Sequence, residues 1–351
     1  MGNRHMTSLE RVLTTLGHRE PDHIPLFLFF TLYGAKELGL SIKDYFSRGE
    51  HVAQGQLKLL EKYGHDCIYN FYHAPLEVQA WGAEVIYCEG GPPNSGVPII
   101  QNIQDIETLE APAIKACSCL EKVLTSARLL KETVQDRVPI IGVVMSPFSL
   151  PVMQLGFDRY IELIYEFPQL FQRLMEINTR FCVDWANAQL EAGSTAICYF
   201  DPVSSPTIIP RELYLKTGFK VATNTLSQIN GPTATHLASG RGLSIVDDLA
   251  KTGTAIMGSS SLEDLSQVKA ACKGKLTVMG NLNGIEMCGW TPEQAENEVK
   301  KAIAAAGPGG GFLLSDNHGE IPFQVPEEVL LAISRAVRRW GQYPLDWISS
   351  P

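Results

Sequence analysis

Short apolar runs rich in β-branched and aromatic residues recur along the chain, and longer amphipathic stretches separate most of them. Such runs are typical of buried strands, and the stretches between them are typical of helices that cover a sheet. Eight runs have this character: 24–30, 66–72, 139–145, 195–200, 233–238, 254–257, 276–279 and 312–315. Eight strands alternating with helices predict an α/β fold, a closed parallel (β/α)8 TIM barrel. An open doubly wound sheet is the alternative, although no GxGxxG or Walker-type loop follows the first strand.

Residues 81–102 do not fit the simple alternation of a barrel. Two short alternating runs, 84–88 and 97–100, flank the turn-forming segment Gly90-Gly-Pro-Pro-Asn-Ser-Gly96. This pattern predicts a β-hairpin insertion between a strand and its helix. Insertions at this position often cover a binding site.

Length and composition fit one large domain. The 351 residues are 45% hydrophobic and 19% charged, which is enough to form the core of a single barrel. The opening residues 1–6, Met1-Gly-Asn-Arg-His-Met6, resemble an expression remnant. We therefore expect one barrel domain over residues 7–351.

Charge and apolar patterning exclude several classes of partner. The net charge is -9 and the Lys and Arg residues are scattered along the chain, which disfavours binding to nucleic acid. No apolar run approaches the roughly 20 residues that span a bilayer, and no signal segment opens the sequence. The eight cysteines lie mostly inside apolar runs and indicate reduced, buried thiols. We expect a soluble, cytoplasmic protein.

Ionisable side chains follow several of the predicted strands, where barrel enzymes place their chemistry. The candidates for catalysis are Glu77, Asp201, His236 and His318. Taken alone, His236 could be a satisfied core histidine and Asp201 could cap the following loop. Their common place on one rim favours a catalytic site. Two neutral imidazoles with one or two carboxylates would also suit Zn²⁺ and leave one position open for a substrate oxygen, so we predict a zinc site formed by the same four residues.

Aromatic and thioether side chains occupy the same predicted rim: Phe29, Phe30, Tyr33, Phe71, Tyr72, Met145, Phe148 and Phe200. We predict that the substrate is bound by six residues: Phe30, Tyr33, Tyr72, His73, Met145 and Asn281. In this set the rings would sandwich the substrate, and the amide of Asn281 or the carboxylate of Asp201 would orient a polar group. No Lys or Arg stands among these strand-end residues. We therefore expect a flat aromatic substrate with little charge.

Several motifs are spread over nearly the whole chain: Arg19-Glu-Pro-Asp-His-Ile-Pro25, Glu77-Val-Gln-Ala-Trp-Gly82, Glu191-Ala-Gly193, Asp201-Pro202, Gly280-Asn-Leu282, Gly289-Trp-Thr-Pro292, Gly307-Pro-Gly-Gly-Gly-Phe312, His318-Gly-Glu-Ile-Pro322 and Pro326-Glu-Glu-Val329. These motifs, together with His236, resemble the uroporphyrinogen decarboxylase superfamily, which also contains the methyltransferases of corrinoid-dependent methyl transfer. The resemblance implies a distorted (β/α)8 barrel.

Departures from the superfamily patterns indicate the branch. The porphyrinogen decarboxylases carry an arginine-bearing segment after the first strand, where this chain reads Phe29-Phe-Thr-Leu-Tyr-Gly34. The coenzyme M methyltransferases bind zinc through His-x-Cys and a later cysteine, where this chain has His236-Leu-Ala238 and Asn317-His318-Gly319. Porphyrin decarboxylation and thiol methylation are therefore both disfavoured.

The remaining branch resembles the first methyltransferase of O-demethylase systems. Membership would imply transfer of a methyl group from a methoxylated aromatic compound to Co(I) of a separate corrinoid protein. The phenol product has a pKa of about 10, so the departing oxygen needs a metal or a proton donor. Alternatives are a methylcorrinoid:thiol enzyme, a methanol or methylamine enzyme, a decarboxylase of a non-porphyrin acid, and a non-catalytic scaffold for the corrinoid protein. The oligomeric state, a homodimer included, stays open.

Overall fold

A computed structural model describes residues 5–348. Ten strands occur in chain order: β1 Leu26–Phe27, β2 Ile68–Tyr69, β3 Val85–Cys88, β4 Gly91–Ser95, β5 Ile140–Met145, β6 Ala196–Phe200, β7 Thr233–His236, β8 Ile256–Gly258, β9 Thr277–Leu282 and β10 Phe312–Asp316. Eight of them form one parallel sheet in the order β1-β10-β9-β8-β7-β6-β5-β2. The predicted (β/α)8 barrel is confirmed, and each of its eight strands lies within or across a predicted run.

Within the described part of the chain, fifteen α-helices accompany the strands: α1 Ser8–Leu16, α2 Tyr33–Leu38, α3 Ile42–Tyr45, α4 Gly49–Tyr63, α5 Leu76–Ala80, α6 Ser118–Val134, α7 Pro151–Leu155, α8 Phe157–Glu166, α9 Pro168–Glu191, α10 Arg211–Lys216, α11 Gly218–Leu226, α12 Val246–Leu249, α13 Leu265–Cys272, α14 Pro292–Ala306 and α15 Glu327–Trp340. Over residues 5–348, no helix is long and apolar enough to cross a bilayer.

The barrel closes between its two shortest strands. Within the described chain, β1 and β2 stand at the two ends of the strand order. A single backbone bond from Asp66 N–H to the Leu26 carbonyl, at 2.6 Å, joins them. The Asp66 carboxylate supports this junction, because it accepts from the backbone N–H of Leu26 at 2.9 Å. A side-chain hydrogen bond therefore helps to close the barrel here, whereas ladders of backbone hydrogen bonds join the other neighbouring strands. This irregular junction is the distortion of the barrel that the resemblance implied.

Helix α1 covers the N-terminal end of the barrel. Thr7 and Glu10 form a capping box that fixes its start. Val12 and Leu16, one turn apart, then pack with Phe27 into the cluster that fills the barrel axis. The N-terminal end is closed by packing, so the opposite, C-terminal end is the one available for chemistry.

The predicted hairpin is present, but its second arm differs from the prediction. Strand β4 lies over Gly91–Ser95 rather than over 97–100, and it pairs with β3 through Val85 opposite Ser95. Gly90 has a φ of 75°, which allows the tight turn directly before β4. Ile100 is instead buried, and its N–H donates to the Gln154 carbonyl. Ile100 thus anchors the chain beyond the hairpin to the barrel wall.

Candidate functional site

The inner wall of the barrel mouth is aromatic. Side chains of β1 alternate between the axis and the helical layer, and Phe27 and Phe29 belong to the cluster on the axis. The ring of Phe29 reaches across the axis to His236 at the end of β7, with ring centroids 5.2 Å apart. Phe200, at the end of β6, stacks on His236 with centroids 5.4 Å apart and planes inclined by 10°. His236 is therefore held between two rings at the mouth.

His236 is buried, with 2% of its surface exposed. Its Nδ1 accepts a hydrogen bond from the backbone N–H of Ala238 at 3.0 Å, in a loop where Ala238 has a φ of 52°. Burial, together with the nearby His318, lowers the pKa of His236 to about 3. The ring is therefore neutral at physiological pH, and because Nδ1 accepts, the proton lies on Nε2.

Gly258 provides the space for the His236 ring. A Cβ at position 258 would lie 2.7 Å from Cδ2 of His236, which is closer than any van der Waals contact allows. The position must therefore lack a side chain if the ring is to keep its place on β7.

His318 follows β10 and is half-buried. Its orientation is set by Asn317. In the amide orientation that satisfies all its neighbours, the Asn317 oxygen accepts from Ser261 N–H at 3.0 Å and the nitrogen donates to the Leu282 carbonyl at 3.0 Å. The same amide nitrogen lies 2.7 Å from Nδ1 of His318 and donates to it. Burial lowers the pKa of His318, so this second ring is also neutral with its proton on Nε2.

The predicted zinc site is not assembled. Over residues 5–348, no three His, Cys, Asp or Glu side chains are close enough to hold one metal ion. Both imidazoles use Nδ1 as an acceptor, so their remaining nitrogens carry protons and act as donors rather than as metal ligands. Asp201 and Glu77 have other partners, as described next. As arranged here, the four residues do not form one ligand set for zinc, because a backbone or amide donor occupies Nδ1 of each ring.

Asp201 joins the ends of two neighbouring strands. Its Oδ1 accepts from the hydroxyls of Ser146 at 2.5 Å and Ser149 at 2.7 Å, both of which follow β5. Ser149 Oγ in turn accepts from Val203 N–H at 3.1 Å. Burial raises the pKa of Asp201, although the serine hydroxyls oppose this shift. These bonds tie the end of β6 to the loop after β5, and the Asp201 carboxylate makes no capping bond to the turn that follows it.

Glu77 lies on α5, beside the end of β5. Its Oε1 accepts from Met145 N–H at 2.8 Å, and its Oε2 is buried without a hydrogen-bond partner. Burial raises the pKa of Glu77 to about 8, although the bond to Met145 opposes the shift. At neutral pH the carboxyl group is therefore mostly protonated and can act as an acid.

Three of the predicted substrate-binding rings point away from the axis. Phe30 packs against Tyr63 in the helical layer. The Tyr33 hydroxyl donates to the carbonyls of Pro322 and Val325, and the Tyr72 hydroxyl donates to the Lys122 carbonyl at 2.9 Å. Their neighbours on the other face, Phe29 and Phe71, point inward. The predicted rings lie one position away from the inward-facing ones, and a shift of one residue exchanges the two faces of a strand.

The other predicted substrate-binding residues lie at the mouth. Met145 and His73 line a cavity together with Phe71 and Phe200. The Asn281 amide donates to the Ser260 carbonyl at 3.0 Å, which connects the end of β9 to the loop after β8. His73 also contacts the hairpin through the ring of Tyr87, with centroids 6.0 Å apart. The hairpin thus lies over this side of the mouth.

Comparisons with known proteins agree with this architecture. The family model described as uroporphyrinogen decarboxylase (URO-D) matches residues 7–340. The uroporphyrinogen decarboxylase of Xylella fastidiosa is 24% identical over an alignment covering 95% of this chain and 99% of that enzyme. The enzyme of the same name from Cellvibrio japonicus is 27% identical, over 59% of this chain and 61% of its own length. A methyltransferase from Methanosarcina mazei superposes with a TM-score of 0.83 at 21% identity, covering 95% of this chain and 99% of that one.

The superposition on the Methanosarcina mazei methyltransferase establishes the fold alone, because the sequence identity is only 21%. The family model is the stronger evidence of relationship, because its match extends over nearly all described residues. The motif resemblance found in the sequence is confirmed at the level of the family. The chain belongs to the uroporphyrinogen decarboxylase (URO-D) family.

Proposed function

We propose that the protein is a methyltransferase that removes the methyl group of a methoxylated aromatic compound and passes it to a corrinoid protein. One observation carries the proposal: two neutral imidazoles, His236 and His318, are oriented as hydrogen-bond donors on an aromatic barrel wall. The similarity to a methyltransferase from Methanosarcina mazei supports it. The curated relatives carry the name uroporphyrinogen decarboxylase, so decarboxylation is the alternative to be tested.

The chain's own residues would bind the ring and stabilise the leaving oxygen. A corrinoid carried by the partner would supply Co(I), whose electron pair forms the new bond to the methyl carbon as the ether C–O bond breaks. Phe29, Phe71 and Phe200 would hold the aryl ring by stacking. The Nε2–H groups of His236 and His318 would donate to the aryloxide oxygen as its negative charge develops. Such donors act most strongly in a site from which water is excluded.

The charges near the mouth favour an aryl ether over a porphyrinogen. A porphyrinogen carries many carboxylates and needs several cations. The cation that follows β1 most closely in the chain is Lys36, which lies outside the barrel. Its Nζ stands 4.5 Å from the ring centre of Tyr33 and 4.0 Å from that of Phe323, and it donates to the Phe323 carbonyl. This ammonium is engaged at the surface, so it does not serve the barrel axis.

The loops around the mouth provide a surface for the partner. Large apolar side chains are exposed in the loops after β6, β8 and β9 and on the hairpin: Ile208, Leu262, Ile285, Ile86 and Val97. A corrinoid domain must approach the methyl carbon from the side opposite the leaving oxygen, and therefore through this face. Exposed apolar groups around a polar opening are typical of a protein-binding surface.

The deciding experiment is an anaerobic single-turnover assay of the purified protein with free cob(I)alamin. A panel of methyl donors would include vanillate-type methoxyphenols, methanol and methylamine, and absorbance would report the formation of methylcobalamin. We expect turnover with methoxyphenols. Turnover only with methanol or methylamine, transfer only to a thiol, or release of CO₂ from a porphyrinogen would each replace the proposed function with another. A protein inactive in every arm would be a scaffold.

A further inference from the structure

Three buried polar atoms without hydrogen-bond partners border one small cavity beside the mouth. They are Glu77 Oε2, His73 Nδ1 and Trp185 Nε1. The cavity has a volume of about 10 Å³, which is room for the centre of one water molecule. Trp185 Nε1–H faces the Glu77 carboxyl group and acts on its pKa as a hydrogen-bond donor, which leaves His73 Nδ1 as the atom of the three without a protein neighbour to pair with. Buried polar groups are almost always paired with protein or water, so His73 Nδ1 beside the Glu77 carboxyl group points to a bound water in this cavity.

The same cavity touches the proposed substrate site. Its wall on the barrel side is formed by Phe71, Met145 and Phe200, and Phe200 stacks on His236. His73 lines this cavity together with Phe71 and Glu77, and its ring packs against Phe46 and against the Tyr87 ring of the hairpin. His73 is the imidazole of this cavity.

The proposed reaction needs a proton that the two donor histidines do not supply. Both rings are neutral, so each can donate a hydrogen bond to an aryloxide but holds its remaining proton tightly. Glu77 is the nearby group that is protonated at neutral pH. Burial, assisted by Lys122, lowers the pKa of His73 to about 4, so His73 is neutral and can accept at one nitrogen while it donates at the other.

We propose that Glu77, one bound water and His73 form a proton relay that protonates the departing aryloxide; this inference rests on the proposed function. The Glu77 carboxyl O–H gives its proton to the water, and the water gives one to His73 Nδ1. His73 Nε2–H gives its proton to the aryloxide oxygen, which leaves as a phenol. After the product dissociates, a solvent proton enters at Nε2 and the transfers run in reverse, which restores the carboxyl group and the original histidine tautomer.

The surroundings of the relay favour these protonation states. From α9, Cys182 and Trp185 face Glu77, and burial raises the pKa of that thiol far above its usual value, so the thiol is neutral. From α6, Lys122 faces His73, and the Tyr87 ring of β3 covers it. No charged group among these neighbours of Glu77 offers its carboxylate an ion pair. Before the reaction, Glu77 is therefore mostly protonated and His73 is neutral.

The test compares Glu77→Gln with Asp316→Asn in single-turnover methyl transfer from a methoxyphenol to cob(I)alamin between pH 6 and 9. Glutamine keeps the acceptor for Met145 N–H but has no acidic proton. Asp316 is a matched control, because it is another buried carboxyl group with one unpaired oxygen, and burial raises its pKa to about 7. We expect the wild-type rate to fall as pH rises through about 8. We expect Glu77→Gln to be on the order of 100-fold slower and to lose this pH dependence, while Asp316→Asn retains it.

A second measurement tests the relay without turnover. The infrared C=O band of a protonated carboxyl group should disappear from the wild-type protein between pH 7 and 9, and this change should be missing in Glu77→Gln. A decrease in rate with rising pH that persists in Glu77→Gln, or that disappears in Asp316→Asn, would overturn the relay and leave the proposed function intact. No methyl transfer by the wild-type protein would overturn the proposed function and the relay together.

Discussion

At the N-terminal end of the barrel, the Arg11 guanidinium lies between two carboxylates, 2.7 Å from Asp22 and 2.5 Å from Asp66. At the C-terminal end, Glu77 Oε2 and Asp316 Oδ2 are equally buried but have no partner. The first region pairs its carboxylates with a cation, whereas in the second burial raises the pKa of both carboxyl groups and one oxygen of each has no hydrogen-bond partner. Paired charges stabilise a fold, and unpaired buried groups with raised pKa values are typical of functional sites.

The largest effect on stability should come from breaking the paired region. Arg11→Met leaves the buried Asp66 and the partly buried Asp22 carboxylates without their cation, which costs up to about 3–5 kcal/mol of unfolding free energy. Chemical denaturation would measure this loss, and activity per folded molecule should be unchanged. The control is Arg128→Met, because Arg128 pairs with Glu121 at the surface and its loss should change the unfolding free energy by about 0.5 kcal/mol or less. Equal losses from the two variants would contradict the contrast between the ends.

The corresponding change at the mouth should affect activity instead. His236→Phe keeps a ring between Phe29 and Phe200 but removes the Nε2–H donor, so we expect methyl transfer to be about 100- to 1,000-fold slower. The unfolding free energy should change by about 1 kcal/mol. Treatment of the wild-type protein with a metal chelator should leave the rate unchanged, because neither His236 nor His318 offers a free nitrogen lone pair. A rate that is lost with the chelator and restored by Zn²⁺ would contradict the donor assignment.

The two regions should also respond to pH with opposite signs. Burial raises the folded-state pKa of Glu77 to about 8 and that of Asp316 to about 7. The folded state then binds more protons than the unfolded one, so these groups stabilise it below pH 4 and the contribution is lost as pH rises towards 8. At Asp22, burial tends to raise the pKa, but bonds and charge from Arg11 lower it overall. Its contribution is present above about pH 4 and is lost in acid.

Thermal unfolding at several pH values would separate these contributions. Glu77→Gln should flatten the decrease in Tm between pH 6 and 8.5, because glutamine does not titrate. Arg11→Met should reduce the decrease in Tm below pH 4. If both variants keep the wild-type pH dependence at both extremes, the carboxyl groups of the two regions do not differ as described.

The barrel could be predicted from the sequence because the apolar runs that indicate it are spread over the whole chain. Each of the eight runs adds a local apolar pattern, and together they leave few architectures open. The hairpin's second arm was misplaced because its strand, Gly91–Ser95, contains two prolines and no apolar run. Pairing at the edge of a two-stranded sheet tolerates such residues, so no local pattern marks the strand.

The site could be predicted only in part, because its chemistry depends on which groups donate hydrogen bonds to the histidines and on which face of a strand each side chain occupies. Strand ends correctly pointed to His236 and His318 as mouth residues, but whether these rings ligate or donate is set by the backbone of Ala238 and the amide of Asn317. Asn317 was overlooked, although its place beside His318 was a usable signal. Nothing in the sequence distinguishes Phe71 from Tyr72 as the inward ring, since both are aromatic and adjacent.

The smallest effect separates these two neighbouring rings. The Phe71 side chain packs against the cluster on the barrel axis, whereas Tyr72 belongs to the outer cluster, where its hydroxyl bonds the Lys122 carbonyl and Ser126 Oγ. Phe71→Ala should raise the KM for a methoxyphenol about tenfold, the equivalent of about 1.4 kcal/mol of ring contact. Tyr72→Phe should leave the KM unchanged and lower the unfolding free energy by about 1 kcal/mol through its lost hydrogen bonds. Steady-state kinetics and denaturation of both variants would measure this difference. A higher KM for Tyr72→Phe with none for Phe71→Ala would place the substrate on the opposite face of the segment after β2 and remove Phe71 from the proposed binding site.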